Sequence, residues 1–144
     1  MKKYSFIFCI LFAFTSQANS DPTCEKADKS FSIFLTRFGE NKQFQKSRYV
    51  LPLVVRYGVY NNPAASEISV SLLGMPEIEN LGYTVFRSAS ERKTEYIKQQ
   101  ILLKTNRYVE VYHELPDADS DRELFKFRNI SGCWYLEEVH NKSL

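Results

Sequence analysis

The sharpest alternation of apolar and polar residues in the chain runs from Tyr108 to Val139 and predicts a three-stranded antiparallel meander. Val109, Val111, His113 and Leu115 alternate with Tyr108, Glu110, Tyr112 and Glu114, the period of two expected of a strand with one face buried. Pro116–Arg122 is the loop to the next strand. Phe125–Ile130 and Cys133–Leu136 then flank Ser131-Gly132, a two-residue hairpin loop in which Gly supplies the left-handed conformation. That loop sets a register: Ile130 faces Cys133, Asn129 faces Trp134, Phe127 faces Leu136 and Lys126 faces Glu137. One face then collects Phe125, Phe127, Trp134 and Leu136, and the other carries an opposite-charge pair.

Upstream, Ala27, Phe31, Phe34, Leu35 and Phe38 recur at helical spacing, with Lys26, Asp28, Lys29 and Arg37 on the opposite face and Gly39 placed to end the helix. Asn41 is positioned to cap a second short helix over Lys42–Arg48, which Pro52 keeps from running on. Tyr49–Tyr60 is β-branched and aromatic and reads as a strand closed by Asn61-Asn62-Pro63. Glu67–Leu73 alternates Ile68, Val70 and Leu72 with polar residues as a half-exposed strand that Gly74-Met75-Pro76 ends. Glu77–Ala89 reads as a loop with a short strand at Tyr83–Arg87. In Ser90–Lys104, Ser90 offers a helix cap, yet Ile97, Ile101 and Leu103 alternate as in a strand; a strand from about Tyr96, after a polar or helical turn, fits best.

The first twenty residues stand apart from this pattern. Lys2-Lys3, the apolar run Phe6–Phe14 and the small, polar Thr15–Ser20 make a signal peptide cleaved after Ala18 or Ser20, leaving residues 21–144 as a single domain. The expected location is periplasmic or secreted, with no stable membrane insertion after cleavage. Of 19 basic residues against 17 acidic, Lys2 and Lys3 belong to the leader, so the remainder is formally neutral. With no basic block interleaved with aromatics, nucleic acid is excluded as a partner. Cys9 leaves with the leader. Cys24 and Cys133 remain, and an even pair in an oxidising compartment reads as a disulfide. A reactive thiol or metal site lacks support: there is no Cys-x-x-Cys, and the histidines are His113 and His140.

Few residues offer chemistry. Asp117, Asp119 and Asp121 resemble the first half of a calcium loop, but Arg122 and Arg128 stand where its Gly and Glu would be. No nucleophile elbow or phosphate-binding glycine loop occurs, and no cofactor or metal is expected. His113, on the apolar-patterned face, is a candidate general base or a buried structural histidine. Gln45, Arg48, Arg56 and Tyr57 are polar among aromatic neighbours; an arginine there either binds a ligand carboxylate or pins helix-end carbonyls and a buried acid. The ligand-binding candidates are thus Gln45, Arg48, Tyr57 and His113, with no catalytic set. Asn129 and Asn141 begin glycosylation acceptor triplets, which matter only in a eukaryotic source.

The Phe-rich helix, Phe44-Gln45-Lys46-Ser47-Arg48-Tyr49-Val50-Leu51-Pro52-Leu53, Phe125-Lys126-Phe127, Gly132-Cys133-Trp134-Tyr135-Leu136 and the terminal Ser143-Leu144 together resemble a family of exported bacterial proteins of unknown function. That family is similar to the nuclear-transport-factor-two-like superfamily. The resemblance touches both ends of the chain and is weak between Asn61 and Lys104. It implies an α+β fold in which N-terminal helices pack on a curved antiparallel β-sheet, cone-like, with a concave pocket between. The superfamily includes isomerases, dehydratases and non-catalytic binding modules, so the fold does not choose among them. The aligned motifs look structural, and the acid/base pair of catalytic members has no counterpart beyond His113 with Glu110 or Tyr57.

Three classes of function follow as expectations. The first is an exported, non-catalytic binding or interaction domain for an unidentified protein or small molecule. The others are an immunity protein that blocks a periplasm-acting toxin, and a small hydrolase or isomerase that uses His113. An exposed sheet face would also suit a homodimer.

Overall fold

The computed structural model describes residues 22, 24–58, 69–82, 84–114 and 122–141. The expected signal peptide, Asn61-Asn62-Pro63 turn and Asp117–Asp121 loop, and Leu115, lie outside these residues. Two helices come first, α1 (Phe31–Glu40) and α2 (Lys42–Lys46), followed by strands β1 (Tyr49–Tyr57) and β2 (Ser69–Leu73). Helices α3 (Met75–Glu79) and α4 (Ala89–Thr94) precede β3 (Lys98–Lys104), β4 (Tyr108–Glu114), β5 (Arg122–Ile130) and β6 (Cys133–Asn141). All six strands form one curved, unclosed sheet in the order β2-β1-β6-β5-β4-β3. The expected α+β cone is therefore present.

The expected antiparallel pairing holds for every pair but one, because β1 lies parallel to β6. Between Tyr49↔Leu136 and Val54↔Glu138 the β1 register slips, and Pro52 falls in this irregular stretch, where its missing N–H costs no ladder bond.

The helices obey their caps. Ser30 accepts from Ile33 N to start α1, and Asn41 Oδ1 accepts from Phe44 N at 2.8 Å to start α2. Ala27 is not on α1, as the spacing suggested, but in an irregular lead-in where Asp28 N donates to Gly132 O at 3.0 Å. Nor does Gly39 stop the helix, which continues to Glu40. Gly39 is instead a point of close approach, since a Cβ there would meet Arg87 O at 3.4 Å. Helix α2 ends at Lys46, two residues short of the expected Arg48; the Ser47 hydroxyl donates to Phe44 O at 2.7 Å and closes it.

Helix α1 lays Phe31, Phe34 and Phe38 on the concave face of the sheet. Phe38 and Phe127 meet at 5.3 Å and 86°, Phe31 and Trp134 at 5.0 Å and 73°, and Phe86 and Phe125 at 4.9 Å and 74°. These edge-to-face contacts suit the ring quadrupoles. Phe86 comes from a segment expected to be a strand; no strand forms at 84–88, and Phe86 is instead a fully buried plug between α1 and the sheet. Downstream, α4 begins two residues earlier than a Ser90 cap would allow, because Ser88 and Glu91 form a reciprocal capping box. Tyr96 then turns with φ 57°, and β3 starts at Lys98.

The last hairpin forms as the sequence requires. Ser131 and Gly132 have φ of 52° and 86°, and the pairs Ile130↔Cys133, Asn129↔Trp134 and Phe127↔Leu136 are in register. One pair differs. A bulge between Lys126 and Phe127 sets Lys126 opposite Glu138 rather than Glu137, with Nζ 2.9 Å from its carboxylate, while Glu137 pairs with Arg128 at 3.3 Å. A disulfide joins Cys24 to Cys133, with Cα atoms 6.3 Å apart across 109 residues of sequence.

Candidate functional site

Cross-strand register aligns residues from all six strands in one row. Gln99 pairs with His113, His113 with Glu123, Glu123 with Asn141, Asn141 with Tyr57 and Tyr57 with Ser69. Directly paired residues project from the same face, so the row is a polar rung across the concave side. Two positions along each strand the next rung is Ile101, Val111, Phe125, Val139, Val55 and Ser71. The polar rung is thus the rim where the apolar core ends.

The two halves of the rung differ. Over β3–β5 it is closed: His113 is fully buried, its ring 4.7 Å from Phe86 and 4.9 Å from Phe125. His113 Nε2 lies 3.0 Å from Gln99 Oε1, an acceptor that places the proton on Nε2, and Nδ1 is buried with no hydrogen-bond partner among the described residues. Burial, reinforced by the charges of Arg92 and Arg87, pushes the imidazole down to about 3. Arg87 crosses above, donating to Glu123 through Nη1 and pairing through Nε with Glu95 at 2.8 Å. At neutral pH His113 is an uncharged core residue.

Over β5–β2 the rung opens. Tyr57, Glu123 and Asn141 edge a small recess whose apolar walls include Leu53, Val55, Leu73 and Val139. Its free volume is about 40 Å³, well below the several hundred Å³ of an ordinary small-molecule pocket. Tyr57, 37% exposed, is the one ligand candidate from the sequence that reaches it.

Gln45 and Arg48 are placed elsewhere, each on the wall of another recess, and are held there by structural contacts. Gln45 Nε2 donates to Phe38 O at 3.0 Å and to Phe86 O at 2.9 Å, and its Oε1 accepts from the Tyr49 hydroxyl at 2.7 Å. It ties the end of α1, the 84–88 segment and β1 together, while burial pushes the Tyr49 hydroxyl pKa up. Arg48 donates to both Asp28 carboxylate oxygens, at 3.2 and 3.4 Å, and to Trp134 O at 3.4 Å. Its guanidinium sits 4.8 Å from the Phe44 ring centroid and 5.3 Å from that of Tyr135. The arrangement is that of a pin. Arg56, on the outer face, shares Glu138 with Lys126. Gln45, Arg48, Tyr57 and His113 therefore do not converge on one site.

Among the described residues, two larger recesses also open at the surface. One, of about 170 Å³, lies between α2 and α3, with Lys46 and Glu79 bridged at 2.8 Å on its wall. The other, of about 340 Å³, lies beside Cys24 under Lys26, Arg37 and Phe44. Among the described residues there is no group of three or more His, Cys, Asp or Glu able to hold a metal ion, and no helix long and apolar enough to cross a membrane.

Sequence reasoning missed Asp28, Phe86, Gln99, Glu123 and Asn141. Glu123 and Asn141 pair across the β5–β6 hairpin, but the bulge between Lys126 and Phe127 shifts them out of the register that the Ser131-Gly132 loop sets.

No family model matches the sequence, and no curated protein matches it. Among solved structures, an NTF2-like protein from Bacteroides fragilis NCTC 9343 superposes with a TM-score of 0.55 at 13% identity. The match covers 86% of this chain and 51% of that one, so the chain spans about half the length of this neighbour. A de novo designed protein with a curved β-sheet matches at 12% identity and a TM-score of 0.42, over 78% of this chain and 94% of that one. The fold is NTF2-like, as the motifs at the two ends of the chain implied.

Proposed function

We propose that this protein is an exported, non-catalytic binding domain that engages its partner through its surface rather than through an interior pocket. The observation that carries this reading is the aromatic filling of the cone. Where a concave ligand site would open, Phe34, Phe38, Phe86, Phe125 and Phe127 pack ring to ring, and His113 is sealed beneath them. A general base needs access to substrate and a pKa near the working pH; His113 has neither, which weighs against the hydrolase or isomerase reading. The leader pattern and the Cys24–Cys133 disulfide support export to the periplasm or beyond. A toxin held by an immunity protein would be one such partner.

A second reading places a small ligand at the recess edged by Tyr57, Glu123 and Asn141. Native mass spectrometry of the oxidised protein, purified from the exported fraction of its own cells, separates the two. The expected result is a stoichiometric protein partner that is retained by Val139→Trp, a substitution that fills the recess. A small molecule held by the wild type and lost from Val139→Trp overturns the surface reading. N-terminal sequencing should begin at Asn19 or Asp21; an intact Met1 in an intracellular fraction overturns export.

A further inference from the structure

Strand β3 ends the sheet with its outer edge unpaired among the described residues. Every residue from Gln100 to Tyr108 is exposed, and the middle of the strand is apolar: Ile101 is 47%, Leu102 54% and Leu103 45% exposed. Three consecutive exposed aliphatic residues on a free edge are an unusual cost for a monomer. The register explains how they present. Ile101 pairs with Val111 on the concave face, Leu103 pairs with Glu110 on the outer face, and Leu102 is the extra residue of a bulge between them. The edge therefore offers aliphatic side chains to both faces of an added strand, beside a row of free backbone donors and acceptors.

Charge selects the occupant. Lys98 and Lys104 bound the apolar centre, and Arg107 follows in the turn. None of the three is in an ion pair with a described residue. A second copy fits poorly: antiparallel pairing of β3 with itself about Ile101 sets Lys98 against Lys104 at both ends, and like charges directly opposite are unfavourable. Sliding the register to separate them shortens the paired stretch. The other edge, β2, exposes Val70 and Leu72 but adjoins residues outside the described set. We infer that the β3 edge is a docking site for an extended segment of a partner protein, with an apolar centre flanked by Asp or Glu, which adds to the sheet as a seventh strand. This rests on the interaction reading above and names the surface and the partner's chemistry.

The test uses the oxidised, isotope-labelled exported protein and a capped peptide of Val-Ile-Val flanked on each side by two glutamates. The same peptide with lysines for glutamates is the comparison. Nuclear magnetic resonance titration should show the acidic peptide binding at least about tenfold tighter than the lysine peptide, and less tightly at high salt. Backbone amides of Lys98–Lys104 should gain exchange protection, and Leu102→Lys should abolish the binding with the thermal midpoint unchanged. Ile33→Lys, an exposed aliphatic position on α1, should leave it intact. Equal affinity for the two peptides, protection away from β3, or no binding at millimolar peptide overturns the proposal. So does a wild-type dimer in sedimentation that Leu102→Lys dissociates, which assigns the edge to a second copy. A native partner whose binding Leu102→Lys leaves unchanged overturns the β3 assignment alone; absence of any native protein partner counts against the interaction reading itself.

Discussion

The Asp28 carboxylate and the Arg48 guanidinium face each other in a two-pronged pair, Nη1–Oδ2 3.2 Å and Nη2–Oδ1 3.4 Å, and Asp28 Oδ2 also accepts from Trp134 N at 2.8 Å. Their side chains are 12% and 9% exposed, so removing one charge strands the other in a poorly hydrated site. Arg48→Met should cost about 3–5 kcal/mol. The double variant Asp28→Asn/Arg48→Met should recover part of that loss. Urea unfolding of the wild type, Arg48→Met, Asp28→Asn and the double variant measures both; additive losses would mean the pair is not coupled.

Reduction of Cys24–Cys133 should lower the thermal midpoint by about 10 °C or more, because the bridge closes a long loop that contributes on the order of 4–5 kcal/mol in the chain-entropy picture. Calorimetry of oxidised and reduced protein reads this directly. Two free thiols in non-reduced exported material would refute the bridge.

His113 makes stability depend on pH in a definite direction. Its folded-state pKa, about 3, lies below the unfolded value near 6.5, so the unfolded chain binds the extra proton between these limits. The contribution is fully present above about pH 6.5 and is lost as pH falls toward 3. His113→Gln, which cannot titrate, should flatten that part of the profile of unfolding free energy against pH. An unchanged slope would show that other groups set it.

Gly132→Ala should destabilise by about 1–3 kcal/mol. Gly132 has φ 86°, and an added Cβ would stand 3.0 Å from Ala27 Cβ. The same change at Gly39, whose Cβ would be 3.4 Å from Arg87 O, should be near neutral, since Ala gains about 1 kcal/mol of helix propensity there. Denaturant midpoints of the two variants should separate clearly.

What the sequence made legible was local. The alternation of Val109, Val111 and His113 marked a true buried face, and Ser131-Gly132 fixed a hairpin, because both signals lie within a few residues of their cause. The rest depended on partners distant in sequence. Gly39 reads as a helix stop until the 84–88 segment is seen pressing on it. Phe86 sits in a stretch with no period, and α3, five residues long, is too short to have one. Ile101 and Leu103 alternate as if half-buried, yet among the described residues no helix covers their edge. Of the candidate site, Tyr57 was visible as a residue, but its row with Asn141 and Glu123 arises only from the pairing of β1 with β6, which no turn motif announces.

That pairing should also form late in folding. Strands β3 to β6 are successive antiparallel neighbours, so each finds its partner close by in sequence. Strand β1 has one flank on β2 and the other on β6, and the second contact must close a loop of most of the chain, the slower kind of event. Synthesis runs the other way, delivering the phenylalanines of α1 first. Helix α1 thus precedes most of its floor, and until β5 and β6 arrive its rings lack Phe127 and Trp134.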